Sequence, residues 1–187
     1  AVGLHEHVAL ASAVGATGAP PEEEGTSHSP LMDLYAAKAQ SFMQRSGVTA
    51  DDLALVSVKN RFHGSLNPKA QFQTTVEAGD VMASRMISDP LRMLMCSPIG
   101  DGAAAVIVAS SDFVKRSGRP DVRIAGWSLT SNGADPRAAH PVSRAMDAAL
   151  TKAQLSVDDI DVVEVHDACA PAELWHYEEL GLCKAGD

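Results

Sequence analysis

Cysteine is scarce in this chain, positive charge is in deficit, and no apolar run is long. Three cysteines, Cys96, Cys169 and Cys183, stand in 187 residues. An odd number with no Cys-x-x-Cys spacing argues against a disulfide framework and a thiolate metal site, and makes a reducing compartment the default. Fifteen Lys and Arg against 24 Asp and Glu give a net charge of -9 at pH 7, the wrong sign for a groove that holds nucleic acid. No apolar stretch approaches the roughly 20 residues that span a bilayer, and the N-terminus lacks the charged-then-apolar order of a signal peptide. The first residue, Ala1, suggests a processed or incomplete chain. His5 and His7 flank Glu6 without a third ligand candidate, so no metal site is expected. What remains is ordinary for a globular chain, with 45% apolar and 21% charged residues and no repeat.

Residues 1–28 mix short apolar pieces with Gly15, Gly18, Pro20, Pro21 and the acidic run Glu22 to Glu24, a loop pattern. Ser29-Pro30 starts a helix with Leu31, Leu34, Tyr35 and Phe42 on one stripe, ending at Gly47. Thr49 and Asp52 form a capping box for a second helix reaching about Val58. The turn chemistry of His63-Gly64 and Asn67-Pro68 predicts an extended surface loop over residues 60–74. A short helix follows within Thr75 to Ser84. Met82, Met86, Met93 and Met95 read as core rather than as an acyl pocket. Ala103 to Ala109 reads as a strand buried on both faces, Ser111 caps a short helix to Gly118, and Val122 to Leu129 is another strand. Pro141 to Ala153 is helical, and Ser156 with Asp159 makes a second box-like cap. A strand over Asp161 to Val165, a break at His166 to Ala170 and a helix from Pro171 to Gly181 give the order in which α/β enzymes present catalytic groups at strand ends.

At that break the sequence VEVHDACAPAELWHYEELGLC resembles the His-Asp-Cys-Phe region of sterol-carrier-protein thiolases and bacterial lipid-transfer thiolases. Two further segments agree in order. KNRFHGSLNPKAQF resembles the family's Lys-Asn segment and its Asn-Pro-x-Ala-Gln-Phe stretch, and SDPLRMLMCSPIGDGAAAVIVAS resembles its Asp-Pro-Leu and Asp-Gly-Ala-Ala-Ala run. The resemblance implies an α/β thiolase fold of two α/β sandwich halves with an inserted loop domain. Residues 1–99 would be mainly that loop domain, 100–118 the closing strand and helix of the first half, and 119–187 the beginning of the second. It further implies that the nucleophilic Cys precedes these residues and the Gly-His-Pro motif follows them, so that the 187 residues alone are inactive.

The activity implied is thiolysis or Claisen condensation of a 3-oxoacyl-CoA, with coenzyme A thioester as substrate and no other cofactor. His166 stands where this branch places the group that hydrogen-bonds the thioester oxygen. Asp167 is expected to cap and orient the following helix. Cys169 replaces an aromatic residue of the family pattern and is read as a small buried thiol, with a redox or covalent role as the sharper alternative. His63 lies in the loop segment near the family's substrate channel, or is simply solvated. On the last helix, His176 is expected at the surface and Tyr177 in the core. The resemblance implies a homodimer or larger oligomer, in the cytoplasm or, in a eukaryote, the peroxisome. The alternatives are a retro-aldol lyase with a small OB-fold partner, a branch that has Tyr where His166 stands, and a non-catalytic thiolase-like subunit.

Overall fold

The computed structural model describes residues 30–98, 100–131 and 139–186. The expected N-terminal loop, with His5 and His7, lies outside them. Helix α1 (Pro30–Ser46) begins at the expected proline and stops at Gly47, whose φ of +79° suits glycine. Tyr35, Ala36, Ala39 and Phe42 form its buried face, while Leu34 from the expected stripe is exposed. Helix α2 (Ala50–Ser65) opens on the predicted box: Asp52 N donates to Thr49 Oγ1 at 3.3 Å, and Thr49 N donates to Asp52 Oδ2 at 2.8 Å.

Helix α2 runs past Val58, so residues 60–65 are helical rather than extended. The loop after it explains why. It folds back so closely that a Cβ on Gly64 would sit 3.1 Å from the Phe72 carbonyl oxygen, and the Arg61 guanidinium lies 3.9 Å from the Phe72 ring centre. Packing overrides the turn propensity of His63-Gly64.

Helix α3 (Ala78–Ala83) leads into a hairpin of β1 (Met86–Ser88) and β2 (Leu91–Arg92), antiparallel, with Met86 opposite Arg92 and Ser88 opposite Leu91. Gln40 of α1 ties its turn by donating to the Asp89 carbonyl oxygen at 2.9 Å and to Asp89 Oδ2 at 3.0 Å. Helix α4 (Ser111–Ser117) is capped by Ser110, one residue before the expected Ser111, and ends at Gly118. Helix α5 (Pro141–Ala153) has its expected bounds, and the Ser156–Asp159 box caps a single tight turn, Val157–Asp159. Helix α6 (Ala170–Glu179) is followed by Gly181 at φ +73°.

The three runs read as strands, 103–109, 122–129 and 161–165, do not join a sheet; among the described residues the sheet is the β1–β2 hairpin. Val106, Ile107, Val122 and Val162 are each more than 80% exposed. A strand draws its hydrogen bonds from neighbours, and a two-sided apolar pattern records what the segment is suited to bury, not that a partner lies beside it. The 122–129 segment instead crosses α5. There Gly126 is required, because a Cβ would run into the Ala149 carbonyl oxygen, and Lys152 Nζ donates to the Trp127 carbonyl oxygen at 3.1 Å.

Two apolar clusters hold the molecule, and both use α6. Tyr35, Ala39 and Phe42 of α1 pack with Leu91, Cys169, Ala172 and Trp175. Tyr35 stacks on the Trp175 indole at 6.1 Å between ring centres, and Phe42 meets its edge at 6.4 Å. Leu53, Ala54 and Val56 of α2 pack with Val81, Met95 and Ala170. Of the four methionines expected in the core, Met95 is buried and Met82 packs against this cluster, whereas Met86 and Met93 are exposed. His176 also departs from expectation: it is buried, with Nδ1 2.7 Å from Glu179 Oε2, while Tyr177 is only half-buried.

Candidate active site

The start of α6 is wedged between the two clusters, and this fixes the residues just before it. His166 is half-buried, and its Nε2 is sealed from solvent. Asp167 follows as an exposed residue, and Cys169 occupies the cap position of α6 fully buried. The expected capping role of Asp167 is not what forms: no side chain caps α6, because Cys169 stands at the cap. Asp167 Oδ2 instead accepts from Asn60 Nδ2 of α2 at 3.3 Å.

The same Asn60 amide donates at 2.9 Å to Oε2 of Glu173, one turn into α6. Glu173 is 4% exposed. Its other oxygen lies 2.6 Å from Lys59 Nζ and accepts the Tyr177 hydroxyl hydrogen bond. Burial opposes the Glu173 charge, but the bonds from Lys59, Tyr177 and Asn60 outweigh it and hold its carboxyl below the usual glutamate range. Asp167 moves the other way: although the residue as a whole is exposed, partial desolvation of its carboxyl, assisted by the Glu173 charge, lifts it above the usual range against the pull of its own backbone N–H, His166 and Lys59. Two carboxylates sharing one amide are thus driven apart, a pattern of acid–base sites. The Tyr177 hydroxyl is pushed well up by burial and by Glu173, so it stays a donor.

Asp167 and Ala170 line one side of a cavity of about 360 Å³; Asn60 and Arg61 of α2, Phe72 of the folded-back loop and Cys96 supply much of the rest. His166 adjoins this cavity through Asp167 rather than lining it. His63 is exposed at the far end of α2 with its ring against Phe62, and does not line it either. Cys169 is a buried thiol pushed up to about 12, chiefly by desolvation, and so remains protonated. Burial likewise raises Cys96. Among the described residues no group of His, Cys, Asp and Glu is arranged to hold a metal ion, and no helix is long and apolar enough to cross a membrane.

Sequence reasoning missed Lys59, Asn60, Glu173 and Tyr177 as site residues. The signals were present: the Lys-Asn pair belongs to the segment that carries the resemblance, and Glu173 is an acid inside the apolar run PAELW.

Residues 127–187 match the family described as Thiolase C-terminal domain-like. The chain is 35% identical over 176 residues to benzoylsuccinyl-CoA thiolase subunit BbsB of Thauera aromatica, covering 87% of this chain and 44% of that protein. It is 36% identical over 178 residues to an acetyl-CoA acetyltransferase of Methanothermobacter thermautotrophicus, covering 92% of this chain and 46% of that one. It is 31% identical over 172 residues to sterol carrier protein 2 of Oryctolagus cuniculus, covering 86% and 31%. In three dimensions it is similar to a chain of the Ltp2-ChsH2(DUF35) aldolase, with a TM-score of 0.77 at 23% identity over 97% of this chain and 56% of that chain. The chain has a thiolase-like α/β fold, is similar in sequence to these thiolases and to sterol carrier protein 2, and spans less than half the length of these curated relatives.

Proposed function

We propose that the intact protein is a thiolase-type acyltransferase that cleaves or forms the carbon–carbon bond of a 3-oxoacyl-CoA, with the coenzyme A thioester as substrate and no further cofactor. The observation that carries this reading is the His166-Asp167 break before α6, beside a cavity that Asp167 lines and Asn60 closes. By the resemblance His166 is the donor to the thioester oxygen as negative charge gathers there; in this structure it adjoins the cavity through Asp167 with Nε2 sealed, so the donation requires the imidazole to turn toward the cavity, and Asp167 holds a favourable charge beside it. The resemblance implies that the cysteine carrying the acyl group lies upstream of these residues, and the burial that holds Cys96 and Cys169 as thiols at rest agrees with their not being that nucleophile. On this reading the 187 residues alone are inactive.

Residues 1–99 serve as loop domain, 100–118 close the first half, and 119–187 open the second, a division supported by the C-terminal family match at 127–187. A homodimer or larger assembly with a small OB-fold partner suits the relative named as a subunit and the aldolase named with a second component. A cytoplasmic setting, or a peroxisomal one in a eukaryote, suits three free thiols. The retro-aldol reading has the aldolase fold likeness in its favour, while the histidine at 166 favours the acyltransferase. Incubating the intact protein with acetoacetyl-CoA, with and without free coenzyme A, decides between them. Coenzyme A-dependent formation of acetyl-CoA supports the proposal, and its absence, with cleavage of a branched 3-hydroxyacyl-CoA without added coenzyme A, overturns it.

A further inference from the structure

Outside the carboxylate network, one pair of reactive groups is set face to face by the fold. The segment after β2 runs antiparallel to the segment before α6, and Cys96 and Cys169 are direct partners across this bridge. Ser97 N donates to the Ala168 carbonyl oxygen at 3.0 Å. That bond runs from the residue after one cysteine to the residue before the other, which makes the pair a non-hydrogen-bonded one. In such pairs the Cα atoms lie about 4.5 Å apart and the side chains leave the same face, within the roughly 4.4–6.8 Å Cα separation that a disulfide spans. The surroundings differ in a useful way. Cys96 is half-buried, lines the 360 Å³ cavity and directs its Sγ at the Arg92 carbonyl oxygen at 3.5 Å, whereas Cys169 is 0% exposed behind it.

We propose that Cys96 and Cys169 form a reversible disulfide when a small peroxide enters the cavity. Cys96 Sγ is the reachable sulfur but burial keeps it a thiol at rest, so it gives up its proton to the departing peroxide oxygen as it attacks the other; the O–O bond breaks, Cys96 becomes a sulfenic acid and one water leaves, a slow step that needs excess peroxide. Cys169 Sγ then displaces the sulfenic oxygen as a second water. The sum is two thiols and one hydrogen peroxide to one disulfide and two waters. Closure pins the segment carrying Ser97 and Pro98 to the segment carrying His166 and Asp167, so the cavity wall and the candidate site become one covalent unit. The inference rests on the bridge register and on the opening of Cys96 to the cavity, and it stands whatever reaction the site performs.

The test treats the full chain with hydrogen peroxide, alkylates remaining thiols, and maps peptides without reduction. The expected result is loss of two of the three free thiols, one intramolecular link between Cys96 and Cys169, alkylated Cys183, and complete reversal by a dithiol. Cys183→Ser should keep the link. Cys96→Ser should remove it and leave Cys169 a thiol through the same exposure, with an unchanged far-UV spectrum showing that the half-buried site tolerates serine. A dominant link through Cys183, links between chains, or Cys96 driven to sulfinic acid while Cys169 stays a thiol would overturn the proposal.

Discussion

Glu173 ties α2 to α6, and replacing it by glutamine and by alanine separates its charge from its shape. The carboxylate is buried and receives Asn60, the Tyr177 hydroxyl and Lys59. A hydrogen bond to a charged acceptor is worth about 1 kcal/mol more than a neutral one, so losing charge at the Asn60 and Tyr177 bonds costs about 2 kcal/mol. Lys59 adds little, because its side chain is 46% exposed and turns to water. Glu173→Ala further leaves a void and two donors short of an acceptor, for a total of about 3 kcal/mol. For a chain of this length 1 kcal/mol corresponds to roughly 2–4 °C, so glutamine should lower Tm by roughly 4–8 °C and alanine by roughly 6–12 °C. The assay is thermal unfolding by circular dichroism in a pH series. The folded carboxyl titrates below its ordinary value of 4.5, so its contribution is complete above that pH and disappears as pH falls through the folded value. The gap between wild type and variants should therefore close on acidification. An alanine variant that melts within about one degree of the wild type at neutral pH, where a loss of order 3 kcal/mol is due, refutes the reasoning.

Asp167→Asn should behave oppositely with pH: the folded carboxyl sits above its ordinary 3.8, so the wild type loses stability as pH rises from 3.8 through the folded value, and the asparagine variant gains relative to it over that window. A Tm difference that is flat with pH contradicts this. The 187-residue chain should self-associate through its open apolar segments at 106–108 and 122–129. Light scattering should show mass rising with concentration, with Trp127 fluorescence shifting to the blue; a clean monomer at micromolar concentration counts against it.

Much of the helical framework was legible because its signals are local. Pro30, the Thr49–Asp52 box, Pro141 and Gly181 mark ends that need no tertiary information, and the observed bounds follow them closely. The strand readings over 103–109, 122–129 and 161–165 failed as ladders because pairing is a property of neighbours, not of the segment. His63-Gly64 was misread for a related reason, since the contact of Phe72 with Gly64 comes from a loop eight residues on. At the site, the His166-Asp167 break was visible as a motif, but the pairing of Asn60 with Asp167 and Glu173 joins residues more than 100 positions apart. No periodicity could have shown it.

The most direct test of the proposed catalytic reading lies in His166 within the intact protein. Steady-state kinetics and thermal melts of the wild type, His166→Ala and His166→Asn should show alanine losing roughly 10²–10³ in kcat with KM and Tm nearly unchanged, because the donor acts on charge that develops in the transition state. Asparagine should fall between them, with a water bridging its shorter side chain. An alanine variant with normal kcat per folded molecule, or one whose lost activity is accounted for by a collapsed Tm, would contradict the assignment.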